Sequence, residues 1–225
     1  GRRELPVPVV MGRHGNMRPG PEVAISWEQF APWERELVAD LPCASVQRAL
    51  FDEVRRRGTK RSGVVAVDMA IAAGLITTDD FAAYVAIRPA WTGVPLVRDV
   101  LPLVDGASAS PQESLLRLLW VVDAGLPRPL CNQDLWTQDG AFLGRPDLFD
   151  PAVGLVGEYD GADHLVQDRR SRDREREEQF RDNGLEYVAV VRGEMRTPRR
   201  VAARLIAAYR RASTYKRRQT WSLTR

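Results

Sequence analysis

The sequence predicts an α/β protein. A mixed sheet flanked by helices fills the C-terminal half, behind a mostly helical N-terminal module. Three observations predict it. Residues 106–212 alternate helical and strand patterns in the order α-β-β-β-α-β-α, which folds as helices packed on a sheet. Residues 45–88 place apolar side chains at three- and four-residue steps, as amphipathic helices do. The segment DGASASP (105–111), small, polar and glycine-containing, separates the two regions.

Taken in order, residues 1–40 hold short β-like pieces, LPVPVV and EVAISW, around the turn residues Arg18-Pro19-Gly20-Pro21. Helices follow at SVQRALFDEVRRR, GVVAVDMAIAAGL and TTDDFAAYVAIR, the last with Thr77 or Thr78 as its cap. The module spans 1–105. The second region, 106–212, opens on Ser110-Pro111-Gln112-Glu113, an N-cap, a first-turn proline and a capping-box glutamate. After this helix come extended pieces around NQDLWTQ and FLGRPDLFD, and then the strand VGLVGEYDG. A charged helix over about 165–182 stops at Asn183-Gly184; LEYVAVV is the next strand and TPRRVAARLIAAYRR the last helix. Residues 213–225 form a basic tail.

Composition narrows the partners. No apolar run approaches the roughly 20 residues of a membrane helix, and GRRELPVPVV lacks a signal peptide's apolar core. Cys43 and Cys131 lie far apart without metal-ligand spacing, which reads as reduced thiols of a cytoplasmic protein. The net charge of +3 is unevenly spread. From Arg192 onward ten arginines and one lysine face a single acid, a net of +10, which leaves −7 on residues 1–191. A basic end on an acidic body suits a polyanion, although an arginine-rich solvated helix gives the same count.

Carboxylates carry the chemistry. In the strand GLVGEYD, Glu158 and Asp160 share one face and Tyr159 takes the other. Two like charges there repel unless a cation lies between them, and Mg²⁺ or Mn²⁺ is the economical one for oxygen donors. Asp147 in Gly144-Arg145-Pro146-Asp147 begins a short strand. A turn at Asp150-Pro151 folds that strand back as a hairpin, which sets Asp147 beside Glu158. Glu113 has a capping role but starts a helix that must pack on the same sheet. His164, four residues past Asp160, stands where it could orient water or shuttle a proton. Six arginines and six acids alternate over 166–183, chiefly as a solvated face, with Arg169, Arg170 and Arg172 placed to reach phosphates near the acids. Phosphate-loop, nucleophile-elbow, HExxH and zinc signatures are missing.

A helix bearing a glutamate, a strand opening Pro-Asp and a strand ending in an ExD element together resemble the PD-(D/E)XK nuclease superfamily. SPQESLLRLLWVVDAGLPRP, GRPDLFD, GLVGEYDGADH and RDNGLEYVAVV are similar to actinobacterial proteins with a very-short-patch-repair-like endonuclease domain, over about 106–212. LPCASVQRALFDEVRRR resembles a segment of the same proteins whose N-terminal region is related to abortive-infection-type antitoxins. The resemblance implies a restriction-endonuclease-like sheet and Mg²⁺- or Mn²⁺-dependent hydrolysis of double-stranded DNA in the cytoplasm, at the nucleoid. Asp147, Glu158 and Asp160 would be the metal ligands, with Glu113 and His164 in the catalytic cluster. Arg199 and Arg200 join the helix arginines as phosphate contacts, and Trp221 and Tyr215 could stack on bases. A homodimer or a protein partner is left open. Asp160 stands where the superfamily carries lysine, so His164, Gln167 or an arginine of the next helix would have to substitute. The alternative is a DNA-binding regulator, antitoxin-like, that keeps the fold without cutting.

Overall fold

A computed structural model describes residues 6–12, 15–161, 167–215 and 218–225, with side chains omitted over 167–173. The chain divides into two compact units, Gly1–Asp52 and Glu53–Arg225, and the segment 105–111 runs inside the second.

In the first unit the two β-like pieces become β1 (Val7–Val10) and β2 (Val23–Ser26), paired in parallel from Val7 opposite Val23 to Val10 opposite Ser26. A hairpin that the sequence did not announce follows, β3 (Arg35–Val38) against β4 (Leu41–Ala44). Its two loop residues, Ala39 and Asp40, have φ of 49° and 62°. That is the loop conformation whose twist matches antiparallel strands, and alanine hides it because Asn or Gly is its usual occupant. The helix α1 (Val46–Arg57) opens here and carries the fully buried Arg48. Arg48 lies 4.2 Å over the Phe30 ring and pairs with Glu28, with Glu34 at 3.3 Å and with Asp52 at 2.9 Å. A desolvated guanidinium is tolerable only with such partners.

The second unit continues through α2 (Lys60–Ala72), α3 (Thr78–Ala86) and α4 (Val94–Val100). Thr77 caps α3, accepting from the Asp80 N–H at 3.1 Å. Next come α5 (Pro111–Leu118), capped by Ser110 and prolonged by a π-helical turn over Leu119–Asp123, and β5 (Leu130–Cys131). The strands β6 (Leu135–Thr137), β7 (Phe142–Gly144), β8 (Leu148–Asp150) and β9 (Leu155–Asp160) lead to α6 (Gln167–Asp182). β10 (Glu186–Val191), α7 (Pro198–Thr214) and β11 (Trp221–Ser222) complete the unit.

The expected mixed sheet has the order β10-β9-β8-β5, with β10 parallel to β9 and the other pairs antiparallel. β6 and β7 do not join it. They form a separate antiparallel sheet with β11, in the order β11-β6-β7. The basic tail therefore ends in structure, and Trp221 is not a stacking platform. It is 7% exposed, its ring edge-on to Phe149 at 4.9 Å, because pairing with Thr137 draws it into the core.

Strand alternation divides the core into two layers. Leu148, Leu155, Val188 and Val190 face Leu116, Leu119 and Trp120 together with Val201, Leu205 and Ala208 of α7. Phe149, Val156 and Tyr187 face Phe180 of α6, with Leu135, Leu143 and Trp221 beside them. Gly157 is glycine because a Cβ there would lie 3.0 Å from the Trp120 ring. Among the described residues no helix is long and apolar enough to cross a membrane.

One buried ion pair fixes α5, and with it Glu113. Arg117 Nη2 donates to Asp68 Oδ2 at 2.6 Å, both side chains being almost fully buried, while Asp68 Oδ1 accepts the Asp105 N–H at 2.7 Å. Arg117→Met should therefore cost about 3–5 kcal/mol, by stranding the Asp68 charge. Urea unfolding measures this, and the paired change Arg117→Met/Asp68→Leu should recover much of the loss. A single variant as stable as the parent would contradict it.

Candidate active site

The hairpin register sets the site. β8 and β9 pair Leu148 with Gly157 and Phe149 with Val156, so one step further Asp147 stands across from Glu158. Phe149 and Val156 face the α6 layer, which puts Asp147, Glu158 and Asp160 on that same face. Tyr159 packs against the opposite layer, as alternation requires. Asp147 Oδ2 accepts the Tyr159 N–H at 2.7 Å. The paired strands β9 and β10 both run toward this end of the sheet, and Arg192 N–H reaches the Asp160 carbonyl at 3.3 Å.

Both oxygens of Glu158 are held. Arg176 of α6 donates from Nε and Nη2 to Oε1 at 2.9 and 2.7 Å, and the Tyr187 hydroxyl donates to Oε2 at 2.6 Å. Arg176 is itself braced. Its Nη2 reaches the Arg145 carbonyl at 2.7 Å and its guanidinium lies 5.4 Å over Phe180, one helical turn on. Phe180 in turn stacks on Tyr187 at 5.9 Å. This close approach explains Gly144 of the Gly-Arg-Pro-Asp stretch: its φ is 155° and a Cβ would lie 3.0 Å from Phe180 Cζ. Arg145 grips Asp134 with two bonds, at 2.6 and 3.0 Å.

The Glu113 side chain does not close the expected capping box on the Ser110 N–H but reaches one residue further back, and it joins the cluster. Its N–H donates to Ser110 Oγ at 3.2 Å, while its Oε2 accepts from the Ala109 N–H and from Asn132 Nδ2, each at 2.8 Å. Asn132 adopts φ 49°, a conformation asparagine tolerates, and its N–H bonds the Asp147 carbonyl at 3.1 Å. It thus ties the start of α5 to the residue beside β8.

The electrostatics follow. Burial above all, opposed by the Tyr159 N–H bond, aided by the Glu113 and Glu158 charges and offset in part by Arg176, pushes the Asp147 carboxyl up to about 6. Burial and the Glu158 charge likewise raise the Tyr187 hydroxyl, which stays protonated as the donor to Glu158. All the candidate donors are hard oxygens, which suits Mg²⁺ or Mn²⁺. Among the described residues, however, no three His, Cys, Asp or Glu side chains are placed to hold one metal ion. Arg176 is the cation paired with Glu158, and its charge also acts on Asp147.

The sequence-derived residues thus separate. Asp147, Glu158 and Asp160 share a face, with Glu113 close enough to act on Asp147. His164 lies outside the described residues, as do the side chains of Arg169, Arg170 and Arg172 and that of Gln167. Arg199 and Arg200 are exposed in the first turn of α7, just past the end of β10, and Tyr215 is exposed at 65%. Arg176, Tyr187 and Asn132 were not foreseen. The only trace of Arg176 in the sequence is its spacing of four from Phe180 on a helix crowded with arginines, and Tyr187 reads simply as a strand residue.

The chain is 28% identical over 155 residues to uncharacterized protein Rv2248 of Mycobacterium tuberculosis strain ATCC 25618 / H37Rv. It has the same identity to uncharacterized protein MT2308 of strain CDC 1551 / Oshkosh. Each alignment covers 68% of this chain and 56% of the relative, so the chain spans little more than half the length of these relatives. No family model and no solved structure matches the chain.

A carboxyl raised in the folded state lowers stability once ionised. The cost is absent where both folded and unfolded forms are protonated, develops between about pH 4 and pH 6, and is complete at neutral pH. In EDTA at pH 7.5, Asp147→Asn should therefore stabilise the protein by on the order of 2 kcal/mol, its side-chain oxygen still accepting from Tyr159. The gain should shrink as pH falls through 6 toward 4. Thermal unfolding across that range measures it, and a destabilised variant at pH 7.5 would contradict the assignment.

Proposed function

We propose that the chain is a metal-dependent DNA endonuclease of the PD-(D/E)XK type that hydrolyses phosphodiester bonds. One observation carries the reading: Asp147 and Glu158 stand across an antiparallel register on one sheet face, with Asp160 beyond and Glu113 near Asp147. Asp147 and Glu158 would hold Mg²⁺ or Mn²⁺, assisted by Asp160 or Glu113. The bound ion would supply a hydroxide nucleophile and Lewis-acid stabilisation of the phosphate. Tyr187 fixes the Glu158 carboxylate from one side, and Arg176 would have to leave Oε1 as the ion entered. Once displaced, Arg176 is a cation on the same face with a planar fork suited to phosphate oxygens, where the superfamily uses lysine. Arg199 and Arg200, exposed where α7 follows β10, would add salt-dependent phosphate contacts that carry no sequence information.

A second reading has its own observation in support. With Arg176 and Tyr187 on both Glu158 oxygens and aspartate at 160 in place of lysine, Glu158 is already occupied, as a DNA-binding regulator that does not cut would require.

Incubation of the protein with supercoiled and linear duplex DNA in Mg²⁺ or Mn²⁺ separates the two. The nuclease reading expects cleavage, abolished by EDTA and lowered at least about 10²-fold in Asp147→Ala/Glu158→Ala, on the scale of losing metal and nucleophile activation. Cleavage unchanged in that variant would overturn the residue assignment. A mobility shift that persists in EDTA and weakens steeply with salt, without cleavage in either metal, would favour the regulator.

A further inference from the structure

Asn132 does more than continue a strand. It follows β5, and its N–H donates to the Asp147 carbonyl at 3.1 Å, one step beyond the pairing of Cys131 with Leu148. That bond is backbone ladder and asks nothing of the side chain. The backbone is left-handed at φ 49°, and no other described residue of the second unit except glycine has a positive φ. Glycine takes this conformation at no steric cost, whereas asparagine only tolerates it. What glycine would lack is the amide.

Both hydrogens of that amide are used. Nδ2 donates to the Ala107 carbonyl at 2.7 Å and to Glu113 Oε2 at 2.8 Å. Both neighbours only accept, so the nitrogen of the amide and not its oxygen must face them. The Ala107 bond is exposed, where water competes, while the Glu113 bond is half-buried. The Ala109 N–H reaches the same Oε2 at 2.8 Å. Two donors therefore fix Oε2, and among the described residues no donor reaches Oε1. Asn132 thus ties Glu113 and the Asp147 main chain to one residue, and the Glu113 charge is felt at the Asp147 carboxyl. No three carboxylates among the described residues converge on one ion, which leaves Glu113 outside the direct ligand set. A hard cation keeps several of its waters, and an oriented carboxylate oxygen beside the site can accept from them.

We propose that Asn132 is a positioning residue of the carboxylate site. By pinning Oε2 it leaves Glu113 Oε1 to the waters of the cation that Asp147 and Glu158 would hold. The inference rests on the nuclease reading of those residues. Partners of this outer kind orient a metal's ligands and waters, and their loss lowers metal affinity by about 10- to 100-fold.

Asn132→Gly separates side chain from backbone, because glycine keeps the left-handed φ and the N–H to Asp147 and loses only the amide. Mn²⁺ is titrated calorimetrically into the full chain, into Asn132→Gly, into Glu113→Gln and into the double variant. Asn132→Gly should bind Mn²⁺ roughly tenfold more weakly or worse, with a melting temperature in EDTA close to the parent's. Glu113→Gln should also bind more weakly, and adding Asn132→Gly to it should change little, since the amide acts through the carboxylate. A residue that merely held the loop would add its own loss. Unchanged Mn²⁺ affinity in Asn132→Gly would overturn the proposal and leave the nuclease reading standing. Losses that add in the double variant, or an Asn132→Gly chain that no longer folds, would also overturn it and make Asn132 structural. A parent chain that binds no Mn²⁺ would overturn the nuclease reading and this inference with it.

Discussion

Carboxylates gathered on one face of a half-buried sheet repel one another, and much of the second unit's architecture contains that repulsion. Arg176 neutralises Glu158 through two bonds, Tyr187 fixes its other oxygen, and Asp147 is left with a backbone N–H and a carboxyl pushed up to about 6. None of these contacts is local in sequence. They require β9 between β8 and β10, with α6 laid over that face so that Arg176 and Phe180 reach it. Gly144 and Gly157 are the fold's concessions to that layering, one beneath Phe180 and one beneath Trp120.

The cost of such a site falls on stability. Ionising the buried Asp147 beside Glu113 and Glu158 lowers the folded state's margin at neutral pH, and chains keep such arrangements where function requires them. The buried pair Arg117–Asp68 positions α5 so that Glu113 and Asn132 close the near side of the cluster. Asn132 accepts a left-handed backbone to make that link. Glu113 thereby does two jobs, bonding the Ala109 N–H ahead of the helix and charging a site.

Much of this was legible in the sequence. The Asp150-Pro151 turn and the alternation of GLVGEYD sufficed to place Asp147 across from Glu158 and Tyr159 on the other face. The start of α5 was readable because Ser110, Pro111 and Glu113 each have a local physical reason to be there. The missing parts depend on contacts distant in sequence. Arg176 is one of six arginines on a helix of alternating charge, and only the packing of Phe180 selects it. Strands of two or three residues, such as β7 and β11, are too short to show alternation, so the second sheet and the burial of Trp221 could not be read. Ala39 concealed the β3–β4 hairpin by occupying a loop position more often held by asparagine or glycine.

If Asp147 and Glu158 hold the proposed cation, it must displace Arg176 from Glu158. Titration calorimetry of Mn²⁺ into the protein tests it most directly, with Glu158→Gln and Arg176→Met alongside. One saturable site per chain is expected, lost in Glu158→Gln and tightened in Arg176→Met, where the competing guanidinium is gone. Mn²⁺ binding that is unaffected by either substitution, or no binding at all, would contradict it.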